Sequence, residues 1–265
     1  MGEARADIRP RIAIENVAKS FDGRNVVDIE RLVLGDHPIE GLIGPNGAGK
    51  TTLMRMIMHS TSLDRGTVEL LPEGPGSGAI TLSDLPASRM AGLGVVKSNQ
   101  VIMDFSQLTV MDSLLLSVAD SSDERPYRVF NEGAIYERER EKISWYLERF
   151  GFEDPLGHAR SAGEKKLLDI IRCLLLEPKV LLLDEPTAGI PDDVRDQVME
   201  VIATKAATGD MAVVIVEHDL EVIWNLCEYV HFMAEGSVLL QGDPESIRAH
   251  ATVVEKYLGS EHVGS

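Results

Sequence analysis

A chain of 265 residues, 44% of them hydrophobic, carries enough apolar sequence for one large core or two small ones. Its net charge of −17, from 43 acidic and 26 basic residues, argues against a nucleic-acid-binding surface and disfavours wide contact with anionic lipid. The two cysteines, Cys173 and Cys227, stand far apart in apolar-periodic stretches and read as core thiols of a cytosolic protein, not as a disulfide or metal framework.

In chain order, residues 1–11 are polar and charged, unlike a signal peptide. Residues 12–17 and 26–34 alternate as half-buried strands. Between them Phe21-Asp22-Gly23 is a turn with one aromatic ring, which either packs on its own hairpin or offers a flat face to a base. Residues 39–43 form a short buried strand that runs straight into Gly44-Pro45-Asn46-Gly47-Ala48-Gly49-Lys50-Thr51-Thr52, and an apolar helix follows to Met58. Glycine, four residues, then Gly-Lys-Thr between a strand and a helix is the phosphate-loop pattern. The glycines let successive N–H groups curl around phosphate oxygens, and the helix adds the positive end of its dipole. Lys50 is placed to reach the β- and γ-phosphates and Thr51 to offer a hydroxyl to Mg²⁺. The expected ligand is a nucleoside triphosphate.

Further on, residues 66–71 read as a strand, 72–78 as a Gly/Pro-rich surface turn, 84–93 as a short helix and 94–97 as a core strand ahead of Gln100. The character then turns helical, over residues 110–118 and 136–150, and the Glu-Arg-Glu-Arg-Glu run in the second helix reads as a solvated face. Strands return at 180–183, 212–216, 229–233 and 237–240, and a helix over 244–258 closes the chain. This alternation predicts a mainly parallel sheet covered on both faces. The apolar runs are strand-length, too short to span a membrane. Residues 180–183 end in Asp184-Glu185, the paired carboxylates that a nucleotide-hydrolysis site needs: Asp184 to hold Mg²⁺, Glu185 to polarise the attacking water. His218 also ends a buried strand, where open α/β sheets place their ligands and where a structural histidine can equally sit.

On these residues the chain resembles an ABC-type ATPase, the nucleotide-binding subunit of an ATP-binding cassette system, from about Ile12 to Leu258. The loop from Gly44 to Thr52 matches the family's Walker A, and Val180-Leu181-Leu182-Leu183-Asp184-Glu185-Pro186-Thr187 matches its Walker B with the catalytic glutamate. Gln100 falls at the Q-loop glutamine, a metal and catalytic position. His218 matches the switch histidine and Phe21 the adenine-stacking aromatic. The resemblance implies one ABC ATPase domain: a P-loop α/β core with an antiparallel β subdomain and a helical subdomain inserted over about residues 101–160. It implies ATP and Mg²⁺ as ligands, a transmembrane permease and a second ABC ATPase subunit as partners, and a cytoplasmic place at the inner face of the membrane. The permease contact is expected near residues 100–116, with Val101, Ile102, Met103, Phe105, Leu108 and Val110 as its apolar part or, alternatively, as subdomain core.

The family signature, commonly Leu-Ser-Gly-Gly-Gln, is represented by Arg160-Ser161-Ala162-Gly163-Glu164, with the family's spacing of 21 positions from Gly163 to Asp184. In the family this segment opens a helix whose N-terminus and serine bind the γ-phosphate of the opposite subunit, the role implied for Ser161 and Gly163. Ala188-Gly189-Ile190-Pro191 departs from the usual D-loop ending. Because Arg160, Ala162, Glu164 and Pro191 are altered, the chain is expected to work best opposite a different ATPase subunit, with a homodimer as the alternative. Within the family, the Walker A loop, Val216-Glu217-His218-Asp219 and Lys256-Tyr257-Leu258-Gly259 resemble ATPases of branched-chain amino-acid and urea-type importers. Gly163-Glu164-Lys165-Lys166 instead resembles the ATPase of iron–sulfur cluster assembly, the alternative function.

Overall fold

A computed structural model of the chain describes residues 10–71, 78–98, 108–118, 132–152, 154–159 and 161–253. Its elements fall into two compact units. One runs to Lys97 and adds Lys179–Glu185 and the chain from Ile202 onward; the other comprises Ser98–Pro178 and Pro186–Val201.

The first unit is built on two sheets. Strands β1 (Arg11–Phe21), β2 (Arg24–Leu34), β4 (Arg65–Leu71) and β5 (Ile80–Thr81) form an antiparallel sheet in the order β2-β1-β4-β5. The β1–β2 hairpin turns on Asp22 and Gly23, at φ 49° and 77°, so that Phe21 pairs with Arg24. Two positive φ values in a two-residue loop match the right-handed twist of the strands, which Asp-Gly supports. The second sheet has the order β10-β9-β3-β8-β7-β6, from β3 (Ile39–Ile43), β6 (Val95–Lys97), β7 (Val180–Asp184), β8 (Ala212–Val216), β9 (Tyr229–Ala234) and β10 (Ser237–Gly242). It is parallel except for β10.

Every residue of β3, β7 and β8 is buried, which is why these segments read as unbroken apolar runs instead of alternating ones. On one face, Leu53, Met54, Met56 and Ile57 of helix α1 (Lys50–Ile57) join a core with Val95, Leu182, Val214 and Val216. On the other face, Gly41 leaves room for helix α6 (Leu220–Leu226): a methyl there would lie 3.0 Å from Ile223 Cγ2 and 3.2 Å from Cys227 Sγ. Both cysteines are free and buried, and burial pushes the Cys227 thiol up to about 12, so it is inert.

In the second unit α2 (Val110–Val118), α3 (Glu132–Arg149) and α4 (Ala162–Leu175) pack together. Ile143, Tyr146, Leu147 and Phe150 recur at helical spacing and are buried with Val110, Leu114, Ile170 and Leu174. Helix α5 (Asp192–Ala206) follows a tight turn, and Pro191 supplies the carbonyl that accepts from Val194 and Arg195 N–H. A proline at a helix start costs no hydrogen bond, so it suits this place in the turn.

Three expectations change. In place of one helix over residues 84–93 there are three short 3₁₀ turns, Leu82–Asp84, Ala87–Arg89 and Ala91–Leu93, the first cut off because Pro86 keeps Leu85 extended at φ −108°, ψ 146°. Helix α3 begins at Glu132, ahead of the expected Tyr136. The closing helix stops at α7 (Pro244–Ala249), since His250 is extended and its Nδ1 accepts from Thr252 N–H to start the short α8 (Ala251–Val253). Residues 254–258 lie outside the described residues.

Where β3 meets β9, a polar cluster sits inside the core. Glu40 and His231, each 1% exposed, meet at 3.0 Å through Oε2 and Nε2, and His231 Nδ1 lies 3.0 Å from the Gln241 side-chain amide. Burial would raise the Glu40 pKa, but the hydrogen bond and charge of His231, with His37 and Gly35 N–H groups, outweigh it and hold the carboxyl below its ordinary 4.5. A carboxylate depressed by folding stabilises the protein above its unfolded pKa and loses that contribution as pH falls through the lower folded value. Stability should therefore decline below pH 4.5, and urea melts of Glu40→Gln should show a flatter acid limb. At neutral pH the variant should be less stable by roughly 1–3 kcal/mol, the cost of a mismatched buried polar group.

Candidate active site

Parallel strands present their C-terminal ends at one edge of a sheet, and loops leaving that edge converge there. Here β3, β8 and β7 are successive neighbours, followed by β6. The loop after β3 begins at Gly44, φ 151°, and reaches α1 through Gly49, φ 100°. A Cβ at Gly44 would stand 1.9 Å from the Met233 carbonyl oxygen, and one at Gly49 would stand 2.5 Å from that of Val26. No side chain fits either place. Ala48 is buried, Pro45 half-buried, and Asn46 and Gly47 lie exposed at the tip. Thr51 and Thr52 are half-buried in the first turn of α1.

Lys50 is 6% exposed, and its ammonium donates to Gly44 O at 2.6 Å and Pro45 O at 3.1 Å, bridging the loop it follows. Burial lowers its pKa, while the charges of Glu185 and Asp184 push it back up. Asp184 ends β7 fully buried, and its Oδ2 accepts from Lys97 Nζ at 3.1 Å. Glu185 follows in the left-handed region at φ 50°, held by its N–H to Val216 O at 2.8 Å. A non-glycine residue there costs about 1–3 kcal/mol, which is tolerated where the turn aims a functional side chain. Its Oε1 lies 3.1 Å from His218 Nε2, on the loop after β8. Four expected residues, Lys50, Asp184, Glu185 and His218, are thus gathered by one sheet edge.

Phe21 is 47% exposed at the hairpin tip, with Lys19 Nζ 5.4 Å from its ring centroid. Lys19 is in turn tied to Asp64 Oδ1 at 2.8 Å, whose other oxygen accepts from Ser20 N–H. The ring is held without being covered. Gln100, Arg160 and residues 101–107 lie outside the described residues. Of the apolar docking set, Val110 is 3% exposed: it belongs to the core of its unit, because the α2 face that carries it packs inward.

Ser161 and Gly163 belong to the second unit. Ser161 caps α4: its Oγ accepts from Glu164 N–H at 3.0 Å, and Glu164 Oε2 accepts from Ser161 N–H at 2.9 Å. This reciprocal box makes Glu164 part of the helix end, a use for its charge that the altered signature did not suggest. A Cβ at Gly163 would stand 2.4 Å from Gly189 O, so the signature glycine and the D-loop touch through backbone alone.

The donor set suits Mg²⁺. A buried carboxylate at Asp184 and the hydroxyl of Thr51 are hard oxygen ligands, and the described residues hold no cluster of three or more His, Cys, Asp or Glu placed to cage a metal. Mg²⁺ is commonly held so, by one or two protein oxygens with phosphate and water completing the shell. Sequence reasoning missed Lys97. No local pattern marks it, because its contact with Asp184 follows from the pairing of β6 with β7, which sets Lys97 opposite Leu182.

The family model for ABC transporters matches residues 32–188. The lipopolysaccharide export system ATP-binding protein LptB of Haemophilus influenzae is 32% identical over 254 residues, covering 94% of this chain and 98% of that one. The high-affinity branched-chain amino acid transport ATP-binding protein LivG of Salmonella typhimurium is 28% identical over 258 residues, covering 95% and 98%. Among solved structures, a nucleotide-free ATP-binding cassette from an ABC transporter shares the fold, with a TM-score of 0.75 at 24% identity over 94% of this chain and 98% of that one.

The cap on α4 can be tested apart from any chemistry. Ser161→Ala should cost about 1 kcal/mol in a denaturant melt, whereas Ser161→Asp, an equally good N-cap, should leave stability within a few tenths of that of the parent chain.

Proposed function

The chain belongs to the ABC transporter family, and from that premise we propose that it is the ATP-binding, ATP-hydrolysing subunit of a transporter, acting with Mg²⁺ and with membrane permease subunits. The observation that carries the reading is the convergence of Lys50, Asp184, Glu185 and His218 at one sheet edge beside a glycine loop whose packed underside leaves its tip open.

In this reading the backbone N–H groups from Gly44 to Thr52 and the N-terminus of α1 receive the phosphates, and Lys50 shifts from its loop carbonyls towards the β- and γ-phosphates. Phe21 stacks on the adenine. Thr51, Asp184 and Gln100 hold the metal, and Mg²⁺ supplies neutralisation of the phosphate charge. Glu185 orients the attacking water and takes up its proton as the new Pγ–O bond forms and the bond to the β-phosphate oxygen breaks. His218, within 3.1 Å of Glu185, fixes the carboxylate and meets the developing phosphate charge. Ser161, Gly163 and the N-terminus of α4 bind the γ-phosphate of ATP held by a second ATPase subunit, so ATP joins the two. Permease contact falls to residues 100–116.

An exporter ATPase and importer ATPases align with nearly the whole chain, as expected if the cassette carries machinery common to both directions and the permease chooses the cargo. We assign import of amino acids or related small solutes, the reading that the branched-chain relatives support. Loss of radiolabelled amino-acid uptake in a deletion strain tests it, and intact uptake with defective export of envelope lipid would replace it.

Glu185→Gln should lower turnover on the order of 10²-fold or more while retaining ATP affinity, and should accumulate an ATP-bound dimer on gel filtration. Lys50→Ala should lose binding itself. Hydrolysis at the parental rate by the Glu185→Gln protein would remove Glu185 from the chemistry. Ser161→Asp, expected to fold normally, should be as inactive as a dimer with an anion already at its γ-phosphate position.

A further inference from the structure

Strand β6 pairs with β7 in parallel register, with Lys97 opposite Leu182. Side chains alternate along a strand, so Lys97 shares its face with Val95, and Asp184 shares its face with Leu182. Val95 and Leu182 both belong to the core that packs against α1, which sets Lys97 and Asp184 on the α1 side of the sheet. Two residues of strand advance about 7 Å, the reach of a lysine side chain, and Lys97 spans that distance along the sheet to place Nζ 3.1 Å from Asp184 Oδ2. The side chains are 13% and 0% exposed, so the pair is shielded from solvent. The oxygen it engages is on the same carboxylate that would meet the metal.

We propose that Lys97 is a positioning residue that holds Asp184 in place and competes with Mg²⁺ for its carboxylate. The inference rests on the ATPase reading above. A buried carboxylate needs a counter-charge at all times. Lys97 supplies it before MgATP arrives and again after MgADP and phosphate leave, which keeps Asp184 aimed and weakens retention of the metal with product. Lys50 feels the charge of Asp184 as well as that of Glu185 but is turned onto Gly44 O and Pro45 O. The site therefore works with two lysines of separate duty, Lys50 for phosphate and Lys97 for the metal ligand. A lysine is suited to this exchange, because its point charge at the end of a flexible stem can swing away without breaking a bidentate contact.

The test titrates MgCl₂ into the full chain at fixed concentration of a fluorescent ATP analogue and reads binding, not turnover. With Lys97→Met, the half-saturating Mg²⁺ should fall about tenfold, the lower end of what one adjacent unit charge does to a carboxylate's affinity for a cation. Lys97→Arg, which keeps the charge and can hold the carboxylate by two bonds, should not fall below the parent value. An unchanged or higher midpoint for Lys97→Met would overturn the proposal and leave Lys97 as a strand-end ion pair only. Should Lys97→Met fail to fold, the parent chain decides: the Lys97 ammonium resonance, identified by its loss in Lys97→Arg, must move on adding MgADP but not on adding ADP with a chelator. A resonance that moves equally in both overturns the inference. A parent chain whose nucleotide binding ignores Mg²⁺ would remove the metal role proposed for Asp184, an outcome distinct from a Mg²⁺-dependent parent with an unaffected Lys97→Met.

Discussion

The geometry of the site depends on one close approach. The phosphate loop lies so near the backbone of β9 and β2 that a methyl group at Gly44 or Gly49 would strike the carbonyl of Met233 or Val26. Those contacts fix where α1 begins, and with it the direction of Lys50 and the first-turn threonines. Interiors pack densely and transmit small displacements, so a loop clamped from beneath cannot drift, while its open tip stays available to a ligand. The same clamp links the antiparallel sheet, which carries Phe21, to the parallel sheet, which carries the carboxylates, since Val26 belongs to one and Met233 to the other.

Charge at this edge is arranged in opposition. Two carboxylates, Asp184 and Glu185, stand within reach of two lysines and one histidine. Burial makes the charges of Asp184, Lys50 and Lys97 costly alone, and each is offset by a partner of the other sign. Such a site is prepared for a polyanion that brings its own cation, because the incoming charges can exchange partners with those already present. The left-handed turn at Glu185 and its bond to Val216 O aim the second carboxylate differently from the first, although the two residues are adjacent in sequence. Adjacent carboxylates can then serve different tasks.

In the helical unit the signature segment is organised by the same economy of backbone. Ser161 and Glu164 close the first turn of α4 on itself, and Gly163 lets the D-loop carbonyl of Gly189 come within backbone distance. The departures at Glu164 and Pro191 have local structural uses, as a helix cap and as a helix start. Departure from a family pattern is therefore not by itself a loss of function, since a residue may satisfy the geometry by another bond.

The loop from Gly44 to Lys50, the Asp184-Glu185 strand end and the strand end at His218 were legible in the sequence, for one physical reason. Each is a local device, in which residues a few positions apart set backbone conformation, hydrogen bonding and the end of an element. The unbroken apolar runs at β3, β7 and β8 announced a buried parallel sheet in the same way. Less legible were element ends such as the turns around Pro86 and the stop at His250, where one residue's φ and ψ outweigh the apolar pattern. The sequence alone held no sign that Lys97 would meet Asp184, 87 positions away, or that Glu40 would bury itself against His231, 191 positions away. Those pairings exist only because strand order and register bring distant residues side by side, and register is settled by how whole sheets and helices pack. The chemistry that binds phosphate is written in short stretches; the counter-charges that hold it in place are decided by the fold.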